Sequence, residues 1–322
     1  MPGLTELIEQ RYNDALKNKD LFYFEGSISK KHVQGMEFEI TFVPSLAKKP
    51  TSDDTKQTEP KEKKANPFLP PDPALVVKEL DHHRIVLNKF CVVPHHILVV
   101  TKEFKEQTQP LFPLDLYATW ETMAAIGPSA VAFYNCGPNS GASQPHKHVQ
   151  IMPLHGQGVQ PPIAALYQEI TNPKPSGPFP RKQLAEVYTL NKVPFLHVVM
   201  PLDTHFLDSN KGQQDALTEY LHQMFFGLLD NMFQQIRENT TNNDHSKLSY
   251  NFVMTRQFMM LVPRSKEHCV LEYEGDQVEL SVNSLGFAGL LLAKTDKERV
   301  ALEQHPDLLA LLQQVCLPWA DQ

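Results

Sequence analysis

The fold and the chemistry of this chain centre on the stretch Asn135-Cys136-Gly137-Pro138-Asn139-Ser140-Gly141-Ala142-Ser143-Gln144-Pro145-His146-Lys147-His148-Val149-Gln150. Its first part is a loop of small residues, rich in backbone N–H groups and hydroxyls, which suits a phosphate group. Residues 146–152 then have the pattern of a strand, and alternate residues of a strand lie on the same face. We therefore expect one face to carry His146, His148, Gln150 and Met152, and the other to carry Val149 and Ile151.

This combination predicts a histidine that accepts a nucleotidyl group and passes it on. A neutral imidazole is a good nucleophile toward phosphorus, and a glutamine amide donates to a phosphoryl oxygen. Each half of the pattern is weak alone, because paired strand histidines are common at surfaces and metal sites and most Gly/Ser loops are only turns. The two together, in this order, are much more specific.

The run 137–150 resembles the signature of the histidine-triad superfamily, in the branch whose third histidine is replaced by glutamine (H-x-H-x-Q). This branch includes the galactose-1-phosphate uridylyltransferases and the fungal diadenosine tetraphosphate phosphorylases (ATP adenylyltransferases), and the chain resembles the phosphorylases closely. The other segments that carry the resemblance are Asn88-Lys89-Phe90, Val92-Val93-Pro94, Phe133-Tyr134-Asn135-Cys136-Gly137, Tyr250-Asn251, Val262-Pro263-Arg264-Ser265 and Asn283-Ser284-Leu285-Gly286-Phe287-Ala288-Gly289.

The expected fold class is α+β. The periodicity favours antiparallel strands with a few helices, and the resemblance implies a histidine-triad-like fold with two such halves, related to galactose-1-phosphate uridylyltransferase. We assign residues 1–190 to an N-terminal part that carries the motif and a flexible loop at 51–66, and residues 191–322 to a C-terminal part that completes the sheet and the nucleotide site. Helices are predicted at 4–16, 114–125, 163–170, 217–236 and 306–315, and strands at 35–42, 84–90, 92–101, 130–135, 146–152, 195–200, 248–254 and 258–262.

The activity implied by the resemblance is phosphorolysis of diadenosine 5′,5‴-P1,P4-tetraphosphate (Ap4A) to ATP and ADP, catalysed by a nucleotidyltransferase. His148 would attack the α-phosphorus and expel ATP, and inorganic phosphate would then attack the adenylyl-histidine to release ADP. The second ring nitrogen of His148 should donate to a backbone carbonyl or a polar group, which fixes the tautomer. His146 is either an orienting residue near the phosphate or a structural strand histidine. Gln150 would donate to a non-bridging oxygen, and adenylyl transfer between ADP and sulfate is an implied side activity.

The substrate-binding candidates lie on the loop and on several distant segments. Backbone N–H groups and side-chain donors at 141–144 would hold the phosphates, and cations are needed because a tetraphosphate carries several negative charges. The resemblance implies contacts from Lys49, Asn88, Lys89, Asn135, Gly141, Ala142, Ser143, Gln144, Gln150, Asn283, Ser284, Leu285, Leu290 and Lys294. We interpret Arg256 and Arg264 as members of ordinary salt bridges on a hairpin face.

A protein-held metal is not expected. The pairs His82-His83 and His95-His96 place adjacent side chains on opposite strand faces, and the C-x-x-C pair of zinc-bearing uridylyltransferases is missing. A divalent cation such as Mg²⁺ is expected to accompany the polyphosphate, held mainly by phosphate oxygens.

Two alternative functions remain open at this point. A hexose-1-phosphate uridylyltransferase would use the same histidine on a UDP-sugar, and the missing C-x-x-C pair argues against it. A catalytically inactive nucleotide-binding protein is the other alternative, and the intact His148 and Gln150 argue against that one.

The composition indicates which cellular location and which binding partners to expect. The chain has 322 residues and a formal net charge of −7, so non-specific binding to nucleic acids or anionic membranes is not expected. We found no signal peptide and no apolar run approaching the ~18 residues of a membrane span. The four cysteines form no C-x-x-C pair and indicate reduced thiols. We therefore predict a cytoplasmic protein, with the nucleus as a second location, favour a monomer, and expect diadenosine polyphosphates, phosphate, ATP and ADP as its partners.

Overall fold

A computed structural model describes residues 2–48, 66–154, 159–171, 187–240 and 248–319 of the chain. Its strands are β1 (Phe22–Tyr23), β2 (Ser27–Val33), β3 (Met36–Phe42), β4 (Val76–Glu79), β5 (His83–Leu87), β6 (Phe90–Cys91), β7 (Ile97–Thr101), β8 (Ala130–Cys136), β9 (His148–Pro153), β10 (Val198–Pro201), β11 (Ser249–Met254), β12 (Phe258–Arg264), β13 (His268–Tyr273), β14 (Asp276–Ser281) and β15 (Leu290–Ala293). Its α-helices are α1 (Leu4–Asn18), α2 (Pro113–Ile126), α3 (Ala164–Thr171), α4 (Thr204–Ser209), α5 (Gln214–Asn239), α6 (Ser284–Ala288), α7 (Asp296–Gln304) and α8 (Leu308–Gln313). Apart from Asn66, the loop predicted at 51–66 lies outside the described residues.

The main sheet has the strand order β10-β12-β11-β8-β9-β7-β5-β4 within the described residues, and every neighbouring pair in it is antiparallel. Smaller sheets are formed by β15-β3-β2, by β13-β14 and by β1-β6. The α+β class with a largely antiparallel sheet is therefore confirmed. Pairing of β8 with β11 continues the sheet from the N-terminal part into the C-terminal part, and the boundary at 190 stays a prediction.

Two hydrophobic layers cover the two faces of the main sheet. Ala132, Tyr134, Val149 and Ile151 pack in one layer with residues of α1, α2 and α5. The residues that alternate with them along β8 and β9, such as Val131, Phe133 and Met152, point to the opposite layer. This second layer also holds residues of β3, α3 and α6–α8. Met152 lies in this second layer, so the predicted alternation along β9 is confirmed.

Helix α5 shows how the sequence pattern determines this packing. Its buried residues recur every three or four positions, which places them on one stripe facing the sheet. They are Leu217, Leu221, Met224, Phe225, Leu228, Met232 and Ile236. Burial of each such side chain contributes about 1.5–3 kcal/mol, so the long helix holds the C-terminal strands of the sheet in place.

Three predicted strands begin two or more residues later than expected, and one of them is β10, predicted from residue 195 but starting at Val198. The strand predicted at 92–101 starts at Ile97, because His95 has a φ of 60°, outside the extended region. The strand predicted at 146–152 starts at His148, and His146 makes only an isolated bridge with Glu106.

Candidate active site

A row of polar side chains crosses the sheet on the face opposite α5. Gln150 of β9 is paired with Phe133 of β8, and Asn135 lies two residues further along the same face. Asn135 is in turn paired with Asn251 of β11. Because paired residues share a face, the sheet brings the H-x-H-x-Q motif together with polar residues from two other strands.

His148 has the ring geometry that a nucleophile needs. It is 3% exposed, and its Nδ1 lies 2.8 Å from the carbonyl oxygen of His146. A carbonyl only accepts, so Nδ1 carries the proton and Nε2 carries the lone pair. Burial lowers the pKa of His148 to about 4, while the bond to His146 opposes this shift. The ring is therefore neutral at physiological pH, as the sequence analysis requires.

His197 of the C-terminal part shows what distinguishes His148. Its Nδ1 makes the same contact, 2.8 Å from the carbonyl oxygen two residues earlier, and it is also fully buried. Its Nε2, however, accepts a hydrogen bond from the Leu190 N–H at 2.7 Å. Among the residues that the structure describes, no donor reaches Nε2 of His148, so only His148 keeps its lone pair for a substrate.

Gln107 fixes the backbone of His148. The β8–β9 ladder ends at the pair Phe133 and Gln150, and the Gln107 side chain bridges the two strands beyond that point. Its Oε1 accepts from the His148 N–H at 2.8 Å, and its Nε2 donates to the carbonyl of Asn135 at 2.9 Å. Gln107 could not be predicted from the sequence, because no local pattern links it to a ladder about 40 residues away.

Replacing Gln107 with methionine should destabilise the protein, because the backbone groups of Asn135 and His148 would be left buried without partners. At about 1–3 kcal/mol for each unsatisfied group, we expect the free energy of unfolding to fall by about 2–5 kcal/mol in a urea titration. Gln109→Met is the matched control, since Gln109 is only partly buried and its described contacts come from its backbone. Equal stability of the two variants would show that the bridge is unimportant.

His146 uses both ring nitrogens within the protein. Its Nε2 donates to the Thr101 carbonyl at 2.8 Å, and its Nδ1 accepts from the Asn66 amide at 2.9 Å. It is fully buried between the rings of Phe68 and Phe104. This arrangement favours the structural alternative for His146 over a phosphate contact.

The opposite face of the same segment holds a buried ion pair. Lys147 is 1% exposed and donates to the Asp115 carboxylate at 2.5 Å and to the Pro110 carbonyl at 2.6 Å. The other Asp115 oxygen lies 2.7 Å from Nε2 of His83. Burial alone would raise the pKa of Asp115, but the bond from His83 and the charge of Lys147 lower it to about 2. These bonds attach the catalytic strand to the start of α2.

A cavity of about 1170 Å³ opens on the side of the sheet opposite α5, and its described wall includes His96 and Met152 but not His148 or Gln150. The predicted substrate residues in its wall are Gly141, Ala142, Ser143, Asn283, Leu285, Leu290 and Lys294. Gly141 has a φ of +77°, and a Cβ there would meet the Val282 carbonyl oxygen at 2.8 Å. The loop thus packs against the 282–284 segment and needs glycine at this position.

Other predicted substrate residues have contacts within the protein. Asn135 and Ser284 are buried, and Oδ1 of Asn135 accepts from the Ser284 N–H at 2.9 Å and from the Asn251 amide at 2.8 Å. Lys89 lies 3.8 Å from an Asp72 carboxylate oxygen. Gln144 is half-buried beyond the cavity wall, and Lys49 lies outside the described residues. Their substrate contacts stay predictions.

His96 is a further site residue, which the sequence analysis considered only as part of a metal-binding pair. It lines the cavity beside Gln150, and its pKa is lowered to about 4, chiefly by burial. The Phe90 N–H donates to Oδ1 of Asn88 at 3.2 Å, which leaves Nδ2 of Asn88 to donate to Nδ1 of His96 at 3.2 Å. The ring proton is therefore on Nε2, and no acceptor lies at hydrogen-bond geometry to it among the described residues.

The two arginines of the β11–β12 hairpin have different environments. Arg256 forms the expected salt bridge with Asp208. The same interpretation is wrong for Arg264, which is 4% exposed and bonds no carboxylate among the described residues. Arg264 lies at the buried end of β12, where backbone carbonyls surround its guanidinium and take the place of a carboxylate partner.

Comparison with known proteins gives matches over nearly the whole chain. The model for the Ap4A phosphorylase N-terminal domain matches residues 2–169, and that for the ATP adenylyltransferase C-terminal domain matches residues 191–318. The chain is 31% identical over 322 residues to diadenosine 5′,5‴-P1,P4-tetraphosphate phosphorylase 2 of Saccharomyces cerevisiae, covering 95% of this chain and 92% of the relative. It is 27% identical over 315 residues to Protein APA1 of the same yeast, covering 95% and 91%.

A solved structure agrees with these matches. The fold superposes on yeast Ap4A phosphorylase Apa2 in complex with Ap4A with a TM-score of 0.73 and 28% identity, covering 99% of this chain and 98% of the other. Within the described residues, no helix is long and apolar enough to span a lipid bilayer.

Proposed function

The chain belongs to the family of Ap4A phosphorylases and ATP adenylyltransferases, and we propose that it splits Ap4A with inorganic phosphate into ATP and ADP. The observation that carries the proposal is the ring of His148, whose Nδ1 donates to the His146 carbonyl at 2.8 Å while its Nε2 lone pair has no described donor. This ring stands in the H-x-H-x-Q motif, directly after the loop that lines the cavity.

The proposed reaction consists of two in-line displacements. Nε2 of His148 attacks the α-phosphorus of Ap4A, the bond to the bridging oxygen breaks, and ATP leaves with the electron pair. In the adenylyl-histidine the imidazolium keeps its proton on Nδ1, and this N–H still donates to the His146 carbonyl. A phosphate oxygen then attacks the same phosphorus, the P–N bond breaks, and ADP leaves. Two inversions give overall retention at phosphorus.

The cavity supports a substrate of this size and charge. Its volume of about 1170 Å³ exceeds the usual range of about 300–1,000 Å³ for ligand pockets, as a dinucleoside would require. The Lys294 side chain is exposed in its wall and forms no ion pair with a described residue. Lys294 and the 141–143 backbone together supply cationic and N–H donors for phosphates.

A divalent cation such as Mg²⁺ is part of the proposal, bound through the polyphosphate oxygens. Three of the four carboxylates in the described wall of the cavity have partners, and the fourth is Glu279. Glu39 lies 3.8 Å from Lys30, Glu267 accepts from Ser281, and Glu298 caps α7. The cation would neutralise phosphate charge when bound.

We also propose a cytoplasmic monomer, with the nucleus as a second location. The buried free cysteines Cys91, Cys136, Cys269 and Cys316 support a reducing compartment.

The test of the proposal is product analysis combined with intact-protein mass spectrometry. With Ap4A alone, we expect ATP release and a protein carrying one adenylyl group, and added phosphate should remove the group as ADP. Sulfate added in place of phosphate tests the proposed second acceptor, and UDP-glucose tests the uridylyltransferase alternative. Hydrolysis to AMP, or turnover of the UDP-sugar alone, would overturn the proposal.

The pH dependence of the first displacement should reflect the lowered pKa of His148. Because burial lowers that pKa to about 4, the reactive neutral ring persists at pH values well below the ordinary histidine value of about 6.5. We expect the single-turnover rate of ATP release from Ap4A to stay constant from pH 8 to about pH 5 and to fall as the pH approaches 4. Omitting inorganic phosphate avoids its own titration. A midpoint near 6.5 would contradict the prediction.

A further inference from the structure

Arg264 carries a buried positive charge whose described hydrogen-bond acceptors are all neutral. Nε donates to the Val315 carbonyl at 3.1 Å, and Nη2 donates to the carbonyls of Lys266 at 2.9 Å and Glu267 at 3.0 Å. Nη1 donates to the Val282 carbonyl at 2.9 Å and to the Asn251 side-chain oxygen. The five donors of the guanidinium are thus satisfied, but no carboxylate neutralises it within the described residues.

The charge persists despite this environment. Burial is the main effect on the Arg264 pKa, lowering it to about 10, which still leaves the group protonated at neutral pH. The Glu267 carboxylate opposes the shift, but it accepts a bond from the Ser281 hydroxyl at 2.7 Å and is half-exposed. A buried charge without a counterion is costly unless an anion arrives to compensate it.

The guanidinium lies directly behind the wall of the cavity. The Val282 carbonyl that accepts from Arg264 is the atom that a Cβ on Gly141 would meet at 2.8 Å. Val282, Asn283 and Gly141 all line the cavity. A single backbone carbonyl therefore separates the charge from the loop whose N–H groups are proposed to hold phosphates.

We propose that Arg264 is a positioning residue whose uncompensated charge attracts the phosphates of the nucleotide into this loop, so that the bound polyanion supplies the missing counterion. The inference rests on the proposed function, since it requires an anionic nucleotide in the cavity. Arg264 does not touch the ligand, and it acts through its field and through the Val282 carbonyl that it holds.

Affinity measured along a series of ligands of rising charge tests the proposal. Titration calorimetry with adenosine, AMP, ADP and ATP on the full chain keeps the base constant while the charge increases. In Arg264→Gln we expect adenosine affinity to be unchanged and affinity to fall by roughly tenfold for each charge that lies near the loop, the scale expected for charges about 12 Å apart at an effective dielectric constant of about 20. A loss of equal size for all four ligands would indicate a purely structural role and overturn the proposal.

Two further variants make the test decisive. Arg264→Lys keeps the charge but loses several bonds, so it should retain the charge-graded affinity even if its thermal stability falls as in Arg264→Gln. If Arg264→Gln does not fold, Arg264→Lys still decides, because equal weakening of adenosine and ATP binding would overturn the proposal. Arg256→Gln, at the other end of the hairpin and paired with Asp208, should leave the series unchanged. Failure of the wild type to bind ATP would instead overturn the proposed function, and this inference with it.

Discussion

The His148→Ala variant is expected to lose ATP release from Ap4A by roughly 10⁴-fold or more, because removal of a nucleophile abolishes the covalent route. The protein should also stay unlabelled in intact-mass spectra, since His148 is the ring of the H-x-H-x-Q motif whose Nε2 keeps its lone pair. The physical reason is the tautomer: Nδ1 is committed to the His146 carbonyl, so Nε2 is the only attacking atom that the ring offers.

His197→Ala is the matched control for this variant. It removes an equally buried imidazole with the same carbonyl contact, and burial also lowers the pKa of His197 to about 4. Both variants create a cavity of the same size, and so both should lose stability. Only His148→Ala should lose labelling in the fraction that remains folded. Full activity of His148→Ala, or loss of labelling in both variants, would contradict the assignment.

The catalytic motif could be found from sequence because its parts are contiguous. A small-residue loop, an H-x-H pair and a glutamine within 16 positions give both the strand and the shared face. The long apolar stripe of α5 and the buried hairpin of β11 and β12 are visible for the same reason, since local periodicity reports which face is buried. Such features need no knowledge of the tertiary arrangement.

The residues that support the motif could not be found in this way. Gln107 and Arg264 act across strands, and the bonds that define their roles join segments 18 to 41 positions apart. Nothing in the neighbouring sequence marks a glutamine as a ladder bridge or an arginine as a buried charge. Their roles arise only when the sheet forms, so the hairpin-face interpretation of Arg264 was wrong.

The hairpin of β13 and β14 was missed for a different reason. Its turn consists of Glu274 and Gly275, both with positive φ, and glutamate is uncommon at such a position, where Asn or Asp before Gly is the usual signal. Its strands also mix buried, partly buried and exposed residues, so their sequences lack a clear alternation of apolar and polar residues. This hairpin nevertheless supplies cavity residues His268, Glu279 and Ser281.

Replacement of His96 with alanine should lower the rate of adenylyl transfer by roughly 10²-fold, a typical cost of losing one transition-state donor. His96 does not attack phosphorus, and its effect is expected to pass through Gln150. Gln150 lies beside the His96 ring and opposes the lowering of the His96 pKa that burial causes. We expect the proton on Nε2, assigned through Asn88, to bind the Gln150 side-chain oxygen once the substrate is present, which would leave the Gln150 NH₂ group to donate to a phosphoryl oxygen.

A double-mutant cycle separates this positioning role from a structural one. If His96 acts by orienting Gln150, then His96→Ala, Gln150→Ala and the double variant should show nearly the same loss in the single-turnover rate, because the two residues act as a unit. If His96 only fills space, His96→Ala should lower the free energy of unfolding and leave the single-turnover rate nearly unchanged. Asn88→Ala provides an independent check, since removing the amide that donates to Nδ1 of His96 at 3.2 Å frees the proton to move between the ring nitrogens. We expect that variant to lose part of the rate that His96→Ala loses, and to lose nothing more when His96 is already absent.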